Sequence, residues 1–324
     1  MPERYRPNFD DWPEKARSPE KIAALMEDFE KRTGFSFQTP FSRLGGITIT
    51  PELLTLRKEE VPGGTLNCLE ILRHMLLGHV IIYPFNPDQL GMNSYDVRLG
   101  EYYYTAQEAL SPAGTMMAHT KQLVKFPKRY EGVDVYPLYN PQDRENSRRI
   151  WGSQFGSGWC KAMSFRHYVD HFRPLKQPTG DLDERDPDST FLIVIPPAQT
   201  ILAHTHEFIG GRVCVYGSLR ARSTSGRQLL TVCDDAGLGD VGYIGRWTLE
   251  IRNKSDVAAQ LLVVGNTYAQ MVFERTGTLP EGISYTAGGG NYQASDELQA
   301  LINNWKPENM LPKPIRMTPL DIRD

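Results

Sequence analysis

Glycines at 239, 242 and 245 fall within seven residues, GDVGYIG, and lead straight into a run where apolar and polar side chains alternate. In RWTLEIR, residues 246–252, Trp247, Leu249 and Ile251 point one way while Arg246, Thr248, Glu250 and Arg252 point the other, which predicts a half-buried strand. The glycines permit backbone angles closed to other residues and let a ligand approach the main chain. Just upstream, Arg222, Ser223, Thr224, Ser225 and Arg227 place fixed positive charge beside hydroxyl donors, a set suited to an anion and most naturally a phosphate. Each of these charged residues has an ordinary alternative reading as a solvated surface side chain. Their density within 221–253 is what points to a site.

A chain of 324 residues has room for one large domain or two small ones, with a sizeable core. Its net charge of −3 argues against a nucleic-acid polymer as partner, which usually calls for a basic face. A small anionic ligand needs only a local group of arginines, so a free nucleotide fits better. Cys68, Cys160, Cys214 and Cys233 have no paired short spacing and read as reduced thiols. No apolar run has the form of a signal peptide or the length of a membrane span, so the chain is expected to be soluble and cytoplasmic, with no membrane partner.

Three blocks in order resemble the dCTP deaminase branch of the dUTPase-like superfamily. The first is GHVIIYPFNPDQLGMNSYDVRLG, residues 78–100, similar to the signature I-x-PF-x-x-x-QL-x-x-x-SYD-x-RLG. The second, PPAQTILAHTHEFIG at 196–210, resembles the strand that precedes the family's arginine segment. The third joins ARSTSGR, DAGLGD followed by GY, and TLEIRN, which are similar to GRSS-x-x-R, TAG-x-ID-PG-aromatic and LE-aliphatic-x-N. Glu250 follows Arg227 by 23 positions, the family's own spacing. The resemblance covers about residues 66–295.

It implies a mainly β fold, a dUTPase-like distorted β-barrel or jelly roll with a few short helices, assembled as a homotrimer with sites at subunit interfaces. Three stretches are expected: an amino-terminal extension over 1–65, a core over 66–275, and a glycine-rich carboxy-terminal arm with a short helix over 276–324. In the extension, Ser18, Pro19 and Gly34 mark a helix start and stop. Its default role is docking or oligomer contact. LNCLEILRHMLLGHVIIYPF reads as a short helix stopped by Gly78 and a strand halted at Pro84. Residues 101–190 are aromatic-rich short strands and loops, with an exposed acidic loop at 179–190. FLIVIPP is a buried strand, TILAHTHEFIGG the next, and AQLLVVGNTYAQMVFERT two more across a Gly-Asn turn. A short helix near the carboxy terminus is expected within ASDELQALINNW.

The resemblance also implies roles. Deamination at C4 of cytosine needs an activated water, a proton shuttle and stabilisation of a tetrahedral carbon. Glu250 is the general base and acid, Arg227 orients it, Ser223 hydrogen-bonds near the reacting centre, and the Ala236 carbonyl helps seat the water. Asp240 takes the sugar 3′-hydroxyl and Tyr243 packs beneath the deoxyribose. Arg222, with Thr224 and its neighbours, takes phosphate oxygens, with Mg²⁺ carried in by the triphosphate. Tyr285, Tyr292 and Gln293 resemble the Y…KYQ pattern of an arm that closes over the nucleotide, with Asn291 where lysine is usual. Ser94, Asp96 and Arg98 belong to a structural signature. The product is dUTP with ammonia.

No protein-held metal is expected. His204 with His206, and His167 with His171, read as structural or polar-face histidines. The zinc-deaminase pattern, H-x-E with P-C-x-x-C, is missing, so no zinc is expected. Two alternatives stay open. One is a dUTPase or a bifunctional dCTP deaminase and dUTPase, because Asp240 stands where dUTPases keep a water-activating carboxylate. The other is a catalytically silent regulatory relative, fed by Ala221 in place of Gly, by Cys233 and Asp235, by Gly239-Asp240-Val241 in place of Ile-Asp-Pro, and by Asn291.

Overall fold

Local signals fix the first helix, Pro19–Thr33. The Ser18 hydroxyl accepts from the Lys21 amide, Pro19 occupies the first position, and Gly34, at φ 72, donates its amide to the Glu30 carbonyl. These devices satisfy the free groups at both helix ends. Ile22, Met26 and Phe29 fall on one face and are buried. The computed structural model describes residues 14–56, 64–106, 128–130, 133–135, 150–152, 158–171, 185–233, 237–277, 279, 285–287 and 289–313. Among them strands predominate, with antiparallel pairing in the main ladders and a few short helices, so the chain is mainly β. None of the described helices is long and apolar enough to cross a membrane.

The chain divides into two compact units. The first comprises Met1–Leu99, Thr205–Trp247 and Gly265–Trp305, and the second Gly100–His204, Thr248–Val264 and Lys306–Asp324. In the first unit, strand Phe208–Gly211 lies between Val80–Tyr83 and Ile244–Gly245, and strand Thr267–Arg275 between Val215–Ala221 and Tyr95–Arg98. The described part of residues 1–65 is built into this unit. Phe35 meets Phe85 edge to face at 5.1 Å, Phe41 is fully buried beside both, and Arg43 donates to Asp96 at 2.8 Å.

In the second unit, strand Thr248–Asn253 pairs with Thr200–His204, which pairs in turn with Tyr102–Ala106. Leu249 and Ile251 are buried, and Glu250, on the other face, is half-buried opposite Leu202. Asn253 closes this strand. Its side-chain amide donates to the Ile195, Pro196 and Ala258 carbonyls, and its oxygen accepts from the Ser255 amide. Strand Phe191–Ile195 carries the expected apolar run and pairs with Gln260–Val263 and Met163–Ser164.

Two expected elements differ. TILAHTHEFIGG is two strands, Thr200–His204 and Phe208–Gly211, in different sheets. The residues between them are diverted to other bonds: the Thr205 hydroxyl donates to the Glu207 carbonyl, and the Glu207 carboxylate, fully buried, takes the Arg98 guanidinium at 2.6 Å and the Arg98 amide at 2.9 Å. The strands flanking Gly265 and Asn266 both form, yet they are not a hairpin. Gln260–Val263 pairs with Phe191–Ile195, whereas Thr267–Arg275 pairs with Val215–Ala221 and Tyr95–Arg98.

Helix Cys68–Leu76 starts in a capping box, with Asn67 and Glu70 each accepting the other's amide. It is turned out by Gly78 at φ 73, and the His79 amide donates back to the His74 carbonyl at 2.8 Å. The two imidazoles thereby come together. Burial, reinforced by Arg212 and Arg275, pushes His79 down to about 4; burial likewise takes His74 well below the usual imidazole range, with His79, Arg275 and Arg73 adding to it.

A pH dependence follows from the depressed imidazoles. The unfolded chain takes up the His79 proton near 6.5 and the folded chain near 4, so stability present above 6.5 falls as the pH drops through this window. The loss from this one group is at most about 3 kcal/mol. Urea unfolding in EDTA at about pH 7 and about pH 5 should show the decline, and His79→Gln should make it shallower.

Candidate functional site

Strand Val215–Ala221 delivers the arginine segment. It runs alongside the glycine turn, since the Leu219 amide donates to the Gly237 carbonyl at 2.6 Å and the Gly239 amide to the Gly217 carbonyl at 2.9 Å. At the strand's end the chain turns into a five-residue helix, Ser223–Arg227, with Arg222 as its cap residue. Arg222 is anchored rather than loose. Its guanidinium donates to the Thr267 hydroxyl and lies 3.3 Å from the Asp96 carboxylate. Ser225 is buried and donates to the Tyr268 carbonyl at 2.8 Å, while Ser223, Thr224 and Arg227 are exposed.

The glycine turn is shaped by close approach. A Cβ on Gly239 would stand 2.5 Å from the Trp247 ring, and one on Gly242, at φ 99, would stand 2.9 Å from the Tyr285 amide nitrogen. Only glycine meets both demands. Trp247 is itself fixed, its indole N–H donating to the Ile209 carbonyl and its amide accepted by the Thr205 hydroxyl. Asp240 stands exposed on the turn. Tyr243 lies against Trp247 at 5.2 Å and Tyr285 at 5.3 Å, and burial, helped by Tyr285 and Tyr292, lifts its phenol well above the usual range. Such a phenol stays neutral and acts by packing.

The carboxy-terminal arm is held down on this turn by one amide side chain. Gln293 is buried; its oxygen accepts from the Ile244 amide at 2.6 Å, and its nitrogen donates to the Gly242 carbonyl at 3.0 Å and to Asp296 at 3.2 Å. Thr286 donates to the other oxygen of Asp296, and the Tyr292 amide to the Tyr285 hydroxyl at 3.4 Å. Tyr292 remains 43% exposed.

The structure therefore brings Asp240, Tyr243, Tyr285, Tyr292 and Gln293 to one patch, with Gln293 spending its bonds on the turn's own backbone. Arg222, Ser223, Thr224 and Arg227 stand at the end of the strand beside it. Glu250 belongs to the sheet of the second unit, and Ala236 lies outside the described residues. Two things were not readable from the motifs. One is that Asp96 is the counter-ion of Arg222, shared with Arg43 at 2.8 Å. The other is a group formed by His74, His79 and Cys214.

His204 is fully buried and its Nε2 accepts from the Tyr102 amide at 3.2 Å; a Cβ on Gly100 would fall 1.9 Å from its ring. His167 and His171 stack at 4.3 Å on the exposed helix Phe165–His171.

Residues 170–276 match the sequence model of the dCTP deaminase-like family. A protein of Methanopyrus kandleri named dCTP deaminase, dUMP-forming, is 33% identical over 131 residues, covering 38% of this chain and 66% of that protein. One of Beutenbergia cavernae with the same name is 32% identical over 137 residues, covering 40% of this chain and 69% of that protein. The chain thus spans about two thirds of the length of these two relatives, and 44% of a third, from Clostridium beijerinckii. The solved structure of 2′-deoxycytidine 5′-triphosphate deaminase from Agrobacterium tumefaciens aligns with a TM-score of 0.37 at 15% identity, covering 65% of this chain and 48% of that one.

Gln293→Ala removes three hydrogen bonds at once and leaves the buried Ile244 amide without its acceptor, a loss of about 1–3 kcal/mol in local opening. Hydrogen exchange should show the amides around Gly242–Ile244 speeding up roughly 10- to 100-fold.

Proposed function

The chain belongs to the dCTP deaminase-like family, and we propose that it deaminates a deoxycytidine triphosphate by hydrolysis and releases dUMP. One observation carries this reading. The family-model match, 170–276, takes in the arginine helix, the glycine turn and the Glu250 strand, and the similar proteins are named dCTP deaminase, dUMP-forming. Those names favour the bifunctional outcome over release of dUTP.

The balance is simple: dCTP and two waters give dUMP, ammonia and pyrophosphate. One water attacks C4. Glu250 takes one of its protons and passes it to N3, then takes the remaining proton from the C4 hydroxyl and gives it to the amine, which departs as ammonia as C4 becomes a carbonyl. A half-buried carboxylate in mid-strand suits this work, being held in place and partly removed from water. Ser223, Arg227 and the Ala236 carbonyl keep the parts the family resemblance gives them: hydrogen-bonding near the reacting centre, orienting the acid and seating the water.

The second water attacks the α-phosphorus and expels pyrophosphate. Asp240, exposed on a turn stiffened by Gly239 and Gly242, is the carboxylate for that step and for the sugar 3′-hydroxyl. Tyr243 packs under the deoxyribose, where a 2′-hydroxyl would clash. Arg222, held by Asp96, takes phosphate oxygens together with Thr224. Tyr285, Tyr292 and Gln293 close the arm over the nucleotide, Gln293 by pinning the arm to the turn. Mg²⁺ arrives on the triphosphate. When bound, the ion would offset phosphate charge, with Arg222 and Thr224 as the protein groups beside it. The working assembly in this reading is a homotrimer.

The test measures ammonia and pyrophosphate together, with each deoxynucleotide offered separately. Wild type should release one of each per dCTP. Glu250→Gln should lower ammonia release about 10²- to 10⁴-fold. Ammonia without pyrophosphate would make dUTP the product, pyrophosphate from dUTP alone would make the protein a dUTPase, and neither would leave a silent relative. Full ammonia release by Glu250→Gln would take this residue out of the mechanism.

A further inference from the structure

Three ligand-type side chains that the reaction above does not use meet in the first unit. His74 and His79 face each other with their Nδ1 atoms 3.1 Å apart, and the Cys214 sulfur lies 3.7 Å from the same His79 nitrogen. All three ligand atoms fall within 4.8 Å of one another. His74 and Cys214 are buried and His79 is half-buried, so one side of the group is open to solvent.

The spacing carries the argument. A tetrahedral ion bound through metal–nitrogen distances of about 2.05 Å and metal–sulfur distances of about 2.3 Å sets nitrogen–nitrogen edges of about 3.3 Å and nitrogen–sulfur edges of about 3.6 Å. The two distances to His79 Nδ1, 3.1 and 3.7 Å, match those edges to within a few tenths of an ångström. Hydrogen bonding alone accounts for the arrangement less well. In either tautomer His79 Nδ1 has one in-plane bonding direction, and here both the His74 ring and the Cys214 sulfur, itself also bonded by Arg275, converge on it. A cation that accepts from all three atoms removes the competition.

The backbone under the three residues is fixed by its own bonds. The His79 amide donates to the His74 carbonyl at 2.8 Å, the Arg212 amide to the His79 carbonyl at 2.8 Å, the Cys214 amide to the Arg212 carbonyl at 2.9 Å, and the Thr276 amide to the Cys214 carbonyl at 2.8 Å. Pre-placed ligands of this kind bind with little reorganisation. Arg73, Arg212 and Arg275 act on the cluster and oppose a dication. Ionisation of Cys214 on binding offsets one unit of that charge, and the Arg212 Nε is already held by the Gly78 carbonyl at 2.7 Å.

We propose that His74, His79 and Cys214 form a site for one tetrahedral d¹⁰ metal ion of the zinc class, with water as the fourth ligand on the solvent side of His79. The site departs from the sequence expectation of no zinc. It is independent of the deamination chemistry, since neither Glu250 nor the glycine turn takes part in it.

The experiment uses the full chain, stripped with a chelator and titrated with Co²⁺ and then Zn²⁺. One equivalent of Co²⁺ per chain should give tetrahedral d–d absorption and a thiolate-to-cobalt charge-transfer band, both displaced by Zn²⁺, and Zn²⁺ should raise the melting temperature. Cys214→Ala should abolish the charge-transfer band, and His79→Ala should weaken binding at least about 10-fold. His167→Ala with His171→Ala, which removes the exposed histidine pair, should leave the spectrum unchanged. Absence of stoichiometric binding overturns the proposal, as does a wild-type cobalt spectrum in Cys214→Ala or loss of the signal on removing His167 and His171.

Discussion

Asp96 sits almost wholly out of water and holds two guanidiniums, Arg43 at 2.8 Å and Arg222 at 3.3 Å. A buried carboxylate without a partner is costly, and breaking such a pair from one side costs about 3–5 kcal/mol. Here the partners come from two distant stretches of the chain. Arg43 belongs to the amino-terminal segment, and Arg222 is the residue from which helix Ser223–Arg227 starts. The same acid therefore fixes the extension to the sheet and aims the arginine segment. The signature residues around it have matching tasks: Ser94 donates to Gln270 and Arg98 closes on buried Glu207. Burial tends to raise Glu207 and the Arg98 charge pulls it down, with burial the larger effect.

What could be read in the sequence was what is decided locally. Ser18, Pro19 and Gly34 settle the first helix within 17 residues of chain, and the alternation from Trp247 to Ile251 settles a strand. The helix Leu298–Asn304 was visible in the same way. Sheet partnership was not, because it depends on chain far away. Gly265 and Asn266 have the look of a hairpin turn, yet the strands on either side find better partners at Phe191–Ile195 and at Tyr95–Arg98. Likewise the polar triplet Thr205, His206, Glu207 breaks one apparent strand into two, since Glu207 is drawn to Arg98.

The candidate site divides along the same line. The turn's glycines were legible because their neighbours in sequence, Trp247 and Tyr243, are also their neighbours in space. Gln293 was picked out by pattern, but its bonds to Gly242 and Ile244 needed coordinates. The group His74, His79 and Cys214 gave no spacing signal, because the cysteine stands 135 positions beyond His79. Asn253, the last residue of TLEIRN, is a clamp on three carbonyls. A motif can thus mix residues that act on substrate with residues that merely hold the strand.

The aromatic join between the extension and the first unit bears on how this protein can be handled. Phe35 and Phe41 lie against Phe85, and Phe85 stacks on Tyr95 in the strand that also carries Asp96. A recombinant fragment begun at residue 66, where the motif resemblance starts, would uncover that apolar face and strip the acid of one of its two cations. Insolubility of such a fragment would then reflect surgery through a hydrophobic core.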